Sequence, residues 1–137
     1  MTPRFDLQSH STSSDGTLSA SDVVARAAEA GVELLALSDH DTIGGVAVWA
    51  HPYWDIEDDA EVLSSIARFH ALGIDGIEAF YITHDERQTR LLFARCEQLG
   101  LLSTGSADYH GPDNRLFSKF LAFETYDLQP NLGPIDS

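Results

Sequence analysis

Apolar and polar positions recur along this chain with two different periods, and the switches between them mark out its elements. In "FDLQSH", residues 5–10, the two-residue alternation predicts a strand with Asp6, Gln8 and His10 on one face and Leu7 and Ser9 on the other. "SASDVVARAAEAG" opens with a capping-box-like Ser19-x-x-Asp22, carries Val23, Val24, Ala27 and Ala28 at helical spacing, and stops at Gly31. "VELLAL" is a short unbroken apolar run of the kind that parallel sheets bury on both faces.

The rhythm then repeats. "VAVWA" predicts a strand that Pro52 ends. "DDAEVLSSIARFHALG" predicts a helix with Val62, Leu63, Ile66 and Phe69 as its apolar stripe and Gly73 as its stop. "IDGIEAFYI" reads as a strand, "THDERQTRLLFARCEQLG" as a helix capped by Thr83-x-x-Glu86 and closed by Gly100, and "LLSTGS" as a strand. "RLFSKFLAFETY" fits either a helical turn or a strand, and the last ten residues read as loop. Strands alternating with helices predict an α/β fold with parallel strands, open or barrel-like, whose functional groups gather at the carboxyl ends of the strands.

That expectation singles out the histidines. Of the six, His10, His40, His51, His84 and His110 each follow an apolar run directly or within a few residues. His70 falls inside a predicted helix and reads as structural or solvent-facing. Asp6, Asp15, Asp39, Asp41 and Asp108 accompany the others. Singly, "AHP", "SDHDT" and "DYH" are ordinary strand ends and turns; their recurrence at matching positions makes the pattern. Imidazole and carboxylate without thiolate suit Zn, Mn or Fe, and such clusters can hold two or three ions. The chemistry is hydrolysis, in which one ion lowers the pKa of a water while another clamps phosphoryl oxygens. Trp49 and Trp54 read as core and rim packing rather than as substrate-stacking surfaces.

Composition and charge narrow the partners. The 137 residues include 22 acidic and 8 basic ones, a formal net charge of -14. Such a surface repels nucleic acid and anionic membranes at long range, so non-specific nucleic-acid binding and a membrane role are not expected. A bound divalent cation reverses the local balance, so acidity is compatible with phosphate chemistry. Cys96 is the single cysteine and reads as core packing. "MTPRFDLQSH" has no apolar signal region, and no run of about eighteen apolar residues occurs. The expectation is one soluble, cytoplasmic domain.

The motifs resemble those of the PHP (polymerase and histidinol phosphatase) metal-dependent phosphoesterases. "DLQSHSTSSDGT" is similar to that family's first motif, D-L-H-x-H-[ST]-x-x-S-D-G, and "LALSDHDT" to its second. "VWAHP" is similar to the late A-H-P motif and "GSADYHGP" to the terminal G-S-D-x-H-G signature. The resemblance implies a distorted (β/α)7 barrel, here incomplete, with divalent metal ions (Mn, Zn or Fe) at its rim. It implies His10, Asp15, His40, His51, Asp108 and His110 as metal ligands and places His84 near the site. Arg115 and Lys119, just past the last motif, are candidates to meet a substrate phosphate. On this reading residues 1–125 form a single PHP-like domain and 126–137 a C-terminal tail.

Two departures set the expectations for activity. Gln8 stands where the family has the first histidine of its H-x-H pair, and a neutral amide is a weaker ligand than imidazole. A family segment with a bridging Glu, another His ligand and an inserted helical subdomain is missing near residues 43–46. The residues themselves show the gap, because the link from Leu37 to Val46 is shorter than the dozen or so that a parallel crossover needs. Antiparallel pairing there would carry His51 roughly 17 Å from His40. Alternatively the Ile43 to Val48 region serves as connection, the strand order is rearranged, or the chain is a truncated remnant.

The expected function is a metal-dependent hydrolase acting on small phosphoesters, nucleotide-type or 5'-phosphate, through metal-activated water. The alternative is a non-catalytic remnant that binds at most one ion. A binding module for an anionic ligand has only Arg115 and Lys119 in its favour. An incomplete barrel also exposes strand edges, which predicts a homodimer or poor solubility.

Overall fold

Strands and helices alternate along the chain as β1 (Phe5–Asp6), α1 (Ala20–Glu29), β2 (Leu34–Leu35), β3 (Val48–Trp49), α2 (Asp59–Ala71), β4 (Gly76–Tyr81), α3 (Glu86–Leu99) and β5 (Leu102–Ser106). This computed structural model describes residues 3–40 and 46–136. β1 pairs with β2, and β4 lies between β3 and β5, with every pairing parallel. The two sheets join where β1 runs beside β5: Leu7 N donates to Gly105 O at 3.0 Å and His10 N to Tyr109 O at 2.8 Å. Ser9 and Tyr109 form a parallel bridge there. The order is therefore β2-β1-β5-β4-β3, an open parallel sheet rather than a closed barrel.

The outer strands β2 and β3 border one groove of about 720 Å³, which Leu7, Ala36, Leu37, Val46, Val48 and Ala50 line. β3 pairs with β4 and not with β2, so the antiparallel arrangement that would have sent His51 to the far end does not occur. Positions 36 to 47 separate the two strands, which run in the same direction at opposite edges of this order. The predicted missing segment near 43–46, along with Asp41, falls largely on residues 41–45, which lie outside the described residues.

The core sits on the later strands. All six residues of β4 are buried, and Ile77 and Phe80 pack with Val62 and Ile66 of α2, Leu92 and Cys96 of α3, and Leu101 and Phe123. Leu63 and Phe69 of the predicted α2 stripe are half-buried at its margin. Asp58 caps α2 by accepting from Glu61 N at 2.9 Å. α3 starts with a capping box of Asp85 and Gln88, two residues later than the predicted Thr83 and Glu86. The chain first makes a turn in which His84 N donates to Tyr81 O at 3.0 Å, and Asp is a stronger N-cap than Thr. α1 follows its predicted cap, Ser19, but buries only Val23 and Ala27; Val24 is 50% exposed and Ala28 is exposed. A helix at the edge of a sheet meets it along one narrow line.

The segment after β5 is neither helix nor strand up to Asp127, correcting both readings of "RLFSKFLAFETY". It consists of turns that return Phe123 to the core. The final residues are irregular but anchored: Ser103 and Asn131 exchange hydrogen bonds, and a 3-10 turn spans Gly133–Asp136. His70 is exposed, as expected. Among the described residues no helix is long and apolar enough to cross a membrane.

Candidate metal centre

The site lies on the seam between β1 and β5, and buried polar groups build that seam. Asp6 is fully buried and accepts from Ala107 N at 3.0 Å and Leu121 N at 2.9 Å. It therefore ties β1 to the segment after β5 and does not share a face with Gln8 and His10, as strand alternation had predicted. Regular pairing covers only Phe5–Asp6, so the alternation lapses before the site is reached; Leu7, Gln8 and His10 all line the groove. Burial pushes the Asp6 carboxyl up to about 7 despite those amides.

Beyond Ser9 the chain turns through a loop that Asp39 pins. Its carboxylate accepts from Ser11 N at 2.7 Å, Ser11 Oγ at 2.8 Å and Ser14 Oγ at 2.7 Å. Two glycines close the loop. A Cβ on Gly16 would lie 2.2 Å from His10 O, and one on Gly111, whose φ is +134°, would lie 1.8 Å from Thr17 Oγ1. Thr17 N also donates to His110 O at 2.9 Å. The loop that carries Asp15 is thereby held against the one that carries His110.

These contacts bring five of the predicted ligands together. His10 Nε2 lies 3.0 Å from Asp108 Oδ1 and its Nδ1 3.2 Å from Asp15 Oδ1. Asp15 Oδ2 lies 3.3 Å from His40 Nε2 and 3.4 Å from His110 Nε2, and His110 Nδ1 lies 3.6 Å from Asp108 Oδ1. The His10 ring stacks on His110 with 4.3 Å between centroids. Two groupings have donor atoms all within 4.8 Å of one another: His10, Asp108 and His110; and His10, Asp15 and His40. Asp108 Oδ1 is buried against the His10 and His110 imidazoles, while Oδ2 accepts from Tyr81 Oη at 2.8 Å. A buried carboxylate oxygen converging with imidazole nitrogens is compatible with a divalent cation.

Charge follows geometry. Burial opposes ionisation of Asp108, but His10 and the Tyr81 hydroxyl outweigh it and hold the carboxyl below its ordinary value. Asp15 is lowered in the same way, slight burial being overcome by His10, His110 and His40. Burial disfavours a charged His10, yet Asp108 beside it raises the imidazole. Asp108 has φ +55° and His51 φ +35°, left-handed backbone that costs a non-glycine residue energy and clusters at functional sites.

Of the other predicted residues, His51 and His84 sit beside this cluster. His51 follows β3 on the same rim and shares the groove with His10 and His40 but belongs to neither grouping. Its amide donates to Glu78 Oε2 at 2.7 Å, and its ring is 5.2 Å from that of Tyr81. His84 is buried, with Nδ1 3.1 Å from Ala79 O and no partner at Nε2. A carbonyl can only accept, so Nδ1 carries the proton and Nε2 the lone pair. Burial lowers this imidazole to about 4, which keeps it neutral. Arg115 and Lys119 are exposed on the segment after His110.

Sequence reasoning missed Tyr81 and Glu78. Glu78 is fully enclosed, accepts from Ser106 Oγ and His51 N, and is pushed by burial up to about 8. The available signal was a carboxylate inside an otherwise apolar strand, "GIEAFY".

No family model matches the chain. A stretch of 46 residues, 34% of the chain, is 56% identical to the 5'-3' exoribonuclease of Haemophilus influenzae and covers 17% of that protein. A stretch of 43 residues, 31% of the chain, is 52% identical to the 3',5'-nucleoside bisphosphate phosphatase of Chromobacterium violaceum and covers 15% of it. The likeness thus spans a small part of either relative's length.

Proposed function

We propose that this chain is a metal-dependent hydrolase of small phosphoesters, built on part of a PHP-type distorted (β/α)7 barrel. The observation that carries the reading is the convergence of His10, Asp15, His40, Asp108 and His110 from different strand ends. Two partial relatives whose names describe a phosphatase and a ribonuclease support it. A divalent cation held here supplies an activated water and charge stabilisation of the phosphoryl oxygens.

The protein's own groups do the holding. Asp108 would be the central ligand, because Tyr81 holds one of its oxygens and the other faces the His10 and His110 imidazoles that would share the cation. His10 and His110 stand on either side of it, Asp15 and His40 complete the outer grouping, and His51 extends the donor set along the groove. His84 keeps its lone pair within the site's wall, and Arg115 and Lys119 would meet the substrate phosphate. A groove of about 720 Å³ suits a small phosphorylated molecule. On the same reading residues 1–125 are the domain and 126–137 its tail, and two copies would pair through strand edges that the incomplete barrel leaves exposed.

One observation favours the remnant reading, in which at most one ion binds: the side chains of Asp15 and His40 are 53% and 64% exposed, so no wall covers the outer grouping among the described residues. Metal analysis of the purified chain together with p-nitrophenyl phosphate turnover in added Mn separates the two. The hydrolase reading expects at least one tightly held ion per chain and metal-dependent turnover. Less than one ion and no turnover would reject it.

A further inference from the structure

We infer that Trp54, backed by Phe117, forms an aromatic wall beside the metal centre that binds a planar ring carried by the substrate, so that aryl and nucleoside phosphates are preferred over sugar phosphates. The inference rests on the phosphoesterase reading and names the substrate class of that site. Trp54 is 49% exposed, an unusual position for the largest apolar side chain. Trp49, by contrast, is half-buried and packs edge-on against Phe69, with ring centroids 5.0 Å apart. One tryptophan belongs to the core; the other faces water beside the candidate ligands.

The indole sits in a continuous set of rings. Its centroid is 5.9 Å from His51, 5.8 Å from Phe117 and 6.4 Å from Tyr81, and Phe117 in turn is 5.3 Å from His110. The backbone fixes both members of the wall. Trp54 N donates to His51 O at 2.9 Å and His110 N to Phe117 O at 2.9 Å, while Asn114 Oδ1 accepts from Leu116 N at 3.0 Å and Phe117 N at 2.8 Å. A preset aromatic surface binds without first being ordered.

Charge explains why such a wall would be needed. A chain of net charge -14 repels an anionic phosphoester at long range. Stacking on an aromatic face does not depend on the sign of the surrounding field, and it accepts any planar ring. The wall holds the ring while the metal centre holds the phosphate.

The test measures, by titration calorimetry on the full chain in excess EDTA, the binding of adenosine 5'-monophosphate and of ribose 5-phosphate. The nucleotide should bind roughly tenfold more tightly. Trp54→Leu should erase the difference, and Trp54→Phe should keep most of it, with thermal melts confirming that each variant folds. Equal binding of the two compounds by the unaltered chain, or a difference that survives in Trp54→Leu, would overturn the proposal. Ring-selective binding without phosphoester turnover supports the wall and rejects the hydrolase. Turnover indifferent to the ring does the reverse.

Discussion

The two sides of the seam are built differently. β4 is six residues long, fully buried, and flanked by β3 and β5, with the α2 and α3 core residues packed on it. On the other side β1 and β2 have two residues each, and α1 buries only Val23 and Ala27. Apart from His10, which follows β1 yet is buried against Asp108, the candidate ligands divide along the same line. Asp108 is buried and braced by Tyr81, whereas Asp15 and His40 are largely exposed. The well-packed side presets a ligand before any cation arrives; the lightly packed side supplies ligands that the cation must itself draw together. Asp108→Ala should therefore cost more than His40→Ala. We expect Mn or Zn affinity, measured calorimetrically, to fall by more than about 100-fold for the first and by roughly tenfold for the second. Equal losses would break the comparison.

The same contrast predicts unequal stability. Phe80 is fully enclosed in the core, so Phe80→Ala should destabilise the fold by about 3–5 kcal/mol. Val23→Ala removes less buried surface and should cost roughly 1–2 kcal/mol. Amide exchange in the unaltered protein should be faster in β1, α1 and β2 than in β4, β5 and α3. Uniform protection across the seam would show that the two sides open as one unit.

Acid and base act on opposite groups. Asp6 has its carboxyl raised from 3.8 to about 7, and Glu78 from 4.5 to about 8, so the folded chain keeps protons that the unfolded chain releases. Their contribution is fully present below the ordinary carboxylate range and is lost as pH climbs through about 7 and about 8. Asp15, Asp39 and Asp108 are lowered, so theirs is present above that range and lost as pH falls below it. Metal-free protein should melt at lower temperature as pH is raised from about 5 to about 8, each raised group adding at most about 1.4 kcal/mol per pH unit. Glu78→Gln should flatten the upper part of that curve, and an unchanged slope would remove Glu78 as its source.

What the sequence made legible follows the same division. Where a segment has a long apolar run, as in "GIEAFY", or a full helical period, as in α2 and α3, the pattern alone located it within a residue or two. Strand-end positions singled out His10, His40 and His110, since parallel strands bring their ends together, and the motif resemblance implied Asp15 and Asp108 beside them. Pattern failed where hydrogen bonds outweighed periodicity. Asp6 left its alternation because the Ala107 and Leu121 amides take its carboxylate, and the α3 cap moved because the chain turns at Tyr81 before the helix begins. Tyr81 was invisible as a brace for Asp108, since nothing local couples residues 27 positions apart.

Position 8 tests which deficiency limits the lightly packed side. Gln8 lines the groove with His10, His40 and His51, so an imidazole there would stand among other donors. If the side is short of ligands, Gln8→His should tighten Zn binding by a few-fold to about tenfold while leaving the melting temperature within the small range of a surface change. If it is short of walls, the added imidazole gains nothing, because Asp15 and His40 stay exposed to water that competes for the cation and screens its attraction. Calorimetry on the folded variant decides between them. A gain assigns the weakness to a side chain that one substitution repairs, whereas an unchanged affinity assigns it to the open groove between β2 and β3.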